Sequence, residues 1–281
     1  MDKRNSTKRL TESALLLAIA VVLELVSKLL GLELPFGGTI TLASMFPVVL
    51  ISYRYGVKWG LLSGFTYSLL QMIMGAKVVS AMFLPGEDQM AVWQAICVCL
   101  LDYVLAYTIL GVGGMFKGKF KKPALELALG VFVALLLRYI VHIISGAIFY
   151  GAWAEWFFSQ EGFYKIGESI LGKYSGTALS IVYSVFYNGL YMVPEIIITT
   201  VVAAILGNVP QIIEKIAFKN CEGNKTVTVS FRELPCGERQ YQVSVYNSFR
   251  SFIAEVIGCD GRHRYMSGLV GDRRGQPRLP N

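Results

Sequence analysis

Charge is what this sequence has least of. Of its 281 residues 16% are Asp, Glu, Lys or Arg and 54% are hydrophobic, and the mean hydropathy is +0.52. A soluble domain carries about 25% charged residues, and stretches such as 124–137 and 196–206 have almost none. A bilayer core about 30 Å thick asks for roughly 20 mostly apolar residues per helix, and several segments supply them. A soluble globular class is set aside on that ground. Cysteine is equally uninformative. Cys97 and Cys99 lie inside an apolar run, where cysteine behaves as a small hydrophobe, and Cys221, Cys236 and Cys259 have no metal spacing. Neither a disulfide framework nor a metal site is expected.

Catalytic motifs are missing too. There is no His-Glu-x-x-His, no Gly-x-Ser-x-Gly and no phosphate-cradling Gly-rich loop, so a chain of this kind that used ATP would need a partner to supply it. The first apolar run, 14–30, carries Glu24 and Lys28 and lacks a small-x-small cleavage site, and it reads as a span rather than a signal peptide.

What is present divides into six apolar segments, near 11–30, 40–54, 57–75, 91–115, 124–151 and 177–207. The last two exceed the bilayer thickness and must tilt, kink or project, with Pro194 a place to kink. The net charge of +7 does not point to nucleic acid, because the cations sit at the ends of these runs. Lys3, Arg4, Lys8 and Arg9 precede the first; Arg54 and Lys58 follow the second; Lys117, Lys119, Lys121 and Lys122 follow the fourth; Lys215 and Lys219 follow the sixth. The intervening loops have no cation (31–39), or Lys77 with Glu87 and Asp88, or Lys165 and Lys173 against Glu155, Glu161 and Glu168. This alternation predicts an all-α membrane bundle of six helices with both termini cytoplasmic. Residues 1–218 form the transmembrane domain. Residues 219–281, with ten Lys or Arg, six Asp or Glu and a short strand pattern at 226–231, form a cytoplasmic tail that is either a small appendage or a disordered chain. The aromatic segment 152–176 reads as a membrane-interface belt.

Polar groups inside spans are costly and face a bundle interior or cavity. Here they are Glu24, Gln71, Asp102, Tyr103, Arg138, His142, Tyr183, Tyr187, Asn188 and Glu195. Arg138 and His142 share a helix face, and Gly146, four residues on, is expected to open space beside the imidazole. Asp102 has Arg138 as one candidate partner. Tyr183 aligns with Tyr187, whereas Asn188 lies roughly 140° around the helix from Tyr183. One carboxylate with aromatic rings and amide donors suits a flat cationic heterocycle, through charge neutralisation and cation–π contact. An enzyme using Asp102 and His142 as an acid–base pair is the competing use of the same groups. Ala14 and Ala18, four apart in span 1, allow close helix approach, either by a partner or within the bundle.

These residues resemble a known family over about residues 8–217. The resemblance rests on Ala14-x-x-x-Ala18, on Pro35-Phe-Gly-Gly-Thr-Ile-Thr-Leu-Ala-Ser-Met45, and on Tyr53-Arg-Tyr-Gly56 with Gly60-Leu-Leu-Ser-Gly64. It continues with Leu101-Asp102-Tyr103, with Arg138-Tyr-Ile-Val-His142-Ile-Ile-Ser-Gly146, and with Tyr183-Ser-Val-Phe-Tyr187-Asn188-Gly189. The chain is similar to the thiamine-specific substrate-binding subunit (S component) of energy-coupling factor transporters. The resemblance implies a bacterial cell-membrane protein, without an ATPase or cofactor of its own, that binds thiamine near the extracellular side under its first loop. It implies ligand contacts from Asp102, Tyr103, His142, Tyr183 and Asn188, with Tyr150 or the nearby Trp153 as a further aromatic. It also implies a membrane scaffold subunit docking on Ala14 and Ala18, and two ATPases. The acid is Asp here where relatives can carry Glu. An S component for a different vitamin or a thiamine precursor is the alternative within the same family.

Overall fold

The computed structural model describes residues 3–32, 38–86, 89–213, 228–233, 239–244, 251–257 and 263–269. Residues 33–37 of the first loop, Glu87, Asp88, Lys215, Lys219 and the cysteines beyond residue 213 lie outside these. The chain divides into two compact units, Met1–Glu214 and Lys215–Asn281.

The first unit is helical: α1 (Lys3–Leu29), α2 (Phe46–Tyr55), α3 (Val57–Met74), α4 (Ala76–Phe83), α5 (Val92–Phe116), α6 (Pro123–Phe149), α7 (Ala154–Phe158), α8 (Tyr164–Lys173), α9 (Gly176–Leu206) and α10 (Pro210–Ile213). Four of them are long and apolar enough to cross a membrane: α1 from Ser6, α5, α6 and α9. The second unit holds four strands, Thr228–Glu233 paired antiparallel with Arg239–Ser244 and Ser251–Ile257 with His263–Leu269. The first strand overlaps the pattern read at 226–231, and the all-α description applies to the first unit.

The segment expected to be helical from residue 40 becomes helix only at Phe46. Its backbone is diverted by side-chain bonds. Thr41 N–H reaches Glu195, Leu42 N–H reaches Ser27 Oγ, and Ser44 N–H reaches Thr41 Oγ1. Ala43 takes a left-handed φ of 58°. Irregular backbone is tolerated at membrane depth only where protein satisfies it, and residues 43–53 are buried throughout. At ten residues, α2 rises roughly 15 Å, half a bilayer core.

Helix α5 packs at near backbone contact. Gly111 lies against the backbone of Gly60 and Leu61, and Gly130 of α6 against Gly113, with no room for a Cβ at either position. Ser52 Oγ sits in the same seam, donating to Gly111 O and accepting from Gly114 N–H.

Helix α1 has two unlike faces. Inward, Glu12 meets Arg54 and Tyr55, Ser13 accepts from Trp59 Nε1–H at 2.8 Å, and Arg9 lies 3.9 Å over the Trp59 ring. One end further, Glu24 meets Lys28, Tyr67 and Gln71. Outward it shows Ala14, Leu15, Ala18, Ile19 and Val22.

Candidate functional site

Helix α5 changes its winding where it carries the acid. Val92–Val98 is α-helical, Cys99–Leu105 is π-helical, and Ile109–Phe116 is a 3-10 helix. A π segment widens the turn and commonly marks a functional position. Here it lets consecutive side chains diverge. Asp102 meets α6, while the Tyr103 hydroxyl lies against Gly75 at the end of α3.

Both oxygens of Asp102 are held by α6. His142 Nδ1 lies 2.8 Å from Oδ1, and Ser145 Oγ donates to Oδ2 at 2.7 Å. A carboxylate can only accept, so the imidazole proton is on Nδ1 and the tautomer is fixed. The opposite nitrogen, His142 Nε2, is buried and has no hydrogen-bond partner among the described residues. A buried polar atom in that condition costs about 1–3 kcal/mol, and a ligand that bonds to it recovers that penalty.

Asp102 does not pair with Arg138. Among the described residues, the Arg138 guanidinium instead lies 4.2 Å over the Tyr107 ring and touches Met45 Sδ, with Nε unpartnered. Arg138 sits one helical turn from His142, and the carboxylate is held by His142 and Ser145 instead.

Across the seam, α9 meets α6 through Asn188. Its Nδ2 donates to His142 O (3.2 Å) and to Ser184 O (2.9 Å), and its Oδ1 accepts from Tyr191 Oη at 2.6 Å. The Tyr191 ring lies 6.1 Å from the imidazole, edge-on. The space at Gly146 is therefore not left beside the imidazole. A Cβ there would meet Ser184 Oγ and lie 3.1 Å from Asn188 Nδ2, so glycine lets α9 close onto α6.

The aromatic residues separate into two groups. Tyr183 is buried against Tyr187 (5.6 Å) and Phe157 (5.3 Å). Tyr150 is half-buried at the end of α6, its hydroxyl beside Met82, and it packs against the cluster that holds Tyr183 and Phe157. Trp153 stands apart, 49% exposed and edge-on to Trp156. The belt read at 152–176 is divided in the same way: Phe157 and Phe158 turn into the core, while Trp153 and Trp156 stay outside.

The structure thus brings Asp102, His142 and Asn188 into one hydrogen-bonded group, puts Tyr103 against Gly75 and Tyr150 and Tyr183 in the aromatic cluster around Phe157, and leaves Trp153 out. Ser145, Ser184 and Tyr191 belong to the group and were not singled out from sequence. Ser145 is three residues from His142, hence on its face, which is the one signal that pointed to it. Ala14 and Ala18 are exposed on α1, and Ala20 is the alanine that packs inside.

Residues 10–159 match the family model described as thiamine transporter protein (Thia_YuaJ). Among curated relatives, the thiamine transporter ThiT of Bacillus subtilis is 34% identical over 215 residues, covering 73% of this chain and 93% of that protein. ThiT of Lacticaseibacillus paracasei is 24% identical over 166 residues, covering 55% and 74%. Among solved structures, ThiT from Listeria monocytogenes superposes with a TM-score of 0.51 at 21% identity, covering 74% of this chain and 98% of that one, a likeness of fold. With a family model spanning α1 to α7 and a relative one-third identical over nearly its full length, the chain belongs to the thiamine transporter protein family.

Proposed function

We propose that this chain is the membrane-embedded, high-affinity thiamine-binding subunit of an energy-coupling factor uptake transporter. The observation that carries the reading is His142. Its Nδ1 is committed to Asp102, and its Nε2 is buried beside the Tyr191 ring without a partner among the described residues. Thiamine offers a cationic ring for the carboxylate and the aromatic edges, and an amino group and a hydroxyl for the imidazole nitrogen and the amide. Asp102, Tyr103, His142, Tyr150, Tyr183 and Asn188 are the proposed contacts. Trp153 would need a rearrangement of residues 151–158 to join them.

The finer topology belongs to the same proposal. Six spans result if α2, with the buried chain leading into it, and α3 complete the four long helices. Loop charge then places both termini in the cytoplasm of a bacterial cell. A scaffold subunit docks on the outward Ala14 and Ala18 face, and two ATPases supply the energy. The chain itself catalyses nothing in this reading: Asp102 and His142 are bonded to each other as a binding pair. Residues 1–218 carry the activity and 219–281 lie outside it.

Isothermal titration of the purified protein with thiamine tests the proposal. The expected result is saturable heat at one site. Absence of heat and of tryptophan quenching at micromolar thiamine rejects it. Thermal stabilisation by a different vitamin but not by thiamine replaces it with the alternative substrate.

A further inference from the structure

Glu195 is fully buried in α9, one turn beyond Tyr191, and lies outside the ligand contacts proposed above. A buried carboxylate is tolerated when its oxygens are satisfied. Here they accept from Thr41 N–H (2.6 Å), Thr41 Oγ1 (2.6 Å) and Thr199 Oγ1 (3.1 Å). The first two bonds cross 154 residues of sequence and fasten the chain that enters α2.

The same stretch is also held by Leu42 N–H to Ser27 Oγ and by Ile40 N–H to Leu32 O. Ala43 in this stretch is left-handed, a conformation disfavoured for an L-residue with a Cβ that persists where surrounding bonds impose it. Thr41 passes the constraint on, since Ser44 bonds to it through both N–H and hydroxyl. One end of the stretch touches the ligand group, and the other meets Arg138 outside it. Gly38 lies flat on the Tyr191 ring, so close that a Cβ would come within 2.6 Å of Cδ1. Met45 meets the Arg138 guanidinium. Tyr191 in turn bonds Asn188 and borders His142.

We propose that Glu195 is a positioning residue for thiamine binding: by holding Thr41 it seats Gly38 against Tyr191, and through Tyr191 it fixes Asn188 and His142. Glu195 touches no ligand, and its effect is on how long the ligand stays. The proposal rests on the thiamine-binding reading.

The test compares Glu195→Ala, Glu195→Gln and Tyr191→Phe in detergent-purified full-length protein, by titration with thiamine, by dissociation rate and by melting temperature without ligand. Glu195→Ala is expected to weaken binding about tenfold, mainly through faster dissociation, as loss of hydrogen bonds to a charged group does. Glu195→Gln can still accept from Thr41 N–H and should stay within about threefold of the wild type. In a Tyr191→Phe background Glu195→Ala should add little, because coupled residues are not additive. Wild-type affinity in Glu195→Ala, or an undiminished loss in the Tyr191→Phe background, overturns the proposal. If Glu195→Ala does not fold, Thr41→Val makes the comparison with a smaller expected loss, and wild-type affinity in that variant overturns it equally. A wild-type chain that fails to bind thiamine rejects the functional reading itself, and this proposal with it.

Discussion

Ser145 donates its hydroxyl to Asp102 Oδ2 at 2.7 Å, tying the π-helical turn of α5 to α6 across 43 residues of sequence. Ser145 is fully buried, so no water substitutes freely for the lost donor. Ser145→Ala is expected to weaken thiamine binding about tenfold, the scale of one hydrogen bond to a charged group. Titration calorimetry reads this directly, and Ser145→Thr, which keeps the donor, serves as the conservative control.

Asp102→Asn and His142→Ala should each cost more. The first removes the charge that meets the cationic ring. The second removes the imidazole that bonds Asp102 and leaves the acid with one donor, while the His142 carbonyl that Asn188 meets is kept. We expect affinity losses of roughly 100-fold for each, within the range of truncating one partner of a buried charged pair. Their combination should lose less than the product, because they share one bond. Equilibrium binding of the two single variants and the double variant checks both statements.

The winding of α5 is itself testable. Deleting Val104 returns the π segment toward α geometry and turns Asp102 away from α6, since each residue of an α-helix advances about 100°. The flanking α and 3-10 segments keep their packing against α3 and α6. The expected outcome is a folded, monodisperse protein that no longer binds thiamine, read by size-exclusion chromatography and titration together.

Ala14→Trp and Ala18→Trp place bulk on the outward face of α1. Both positions are exposed and make no inward contact that a larger side chain would break. Thiamine affinity should be unchanged, while uptake by cells carrying the complete transporter should fall to background. Weakened binding in a folded variant would contradict the docking role.

Gly111→Ala forces a methyl into the backbone of Gly60 and Leu61. Overpacking of this kind costs about 1–3 kcal/mol. A melting temperature several degrees lower in detergent is expected, with affinity retained in whatever fraction folds.

The helices that cross the bundle were legible because length and hydropathy alone define them, and Asp102, His142 and Asn188 were legible because buried polar side chains in apolar helices are few. Other features depended on distant partners. Residues 40–45 read as helix by composition, yet Glu195 and Ser27 take their backbone donors. Gly146 signals close approach, but only the neighbouring helix decides whether a ligand or Asn188 fills the gap. Tyr150 matched by spacing and Trp153 only as a nearby substitute, and the bend after Phe149 carries Trp153 outward. The π turn leaves no periodic mark in seven residues. Arg138 was read as a partner for an acid, whereas it packs on Tyr107.

The double tether on Asp102 bears on ionic conditions. A carboxylate at membrane depth is satisfied by protein groups or by an ion, and a carrier that relies on an alkali cation becomes coupled to a sodium or potassium gradient. Here imidazole and hydroxyl already bond both oxygens from within the protein. Thiamine affinity should therefore be the same at equal ionic strength in sodium, potassium or choline chloride, leaving the direction of transport to the energy source alone.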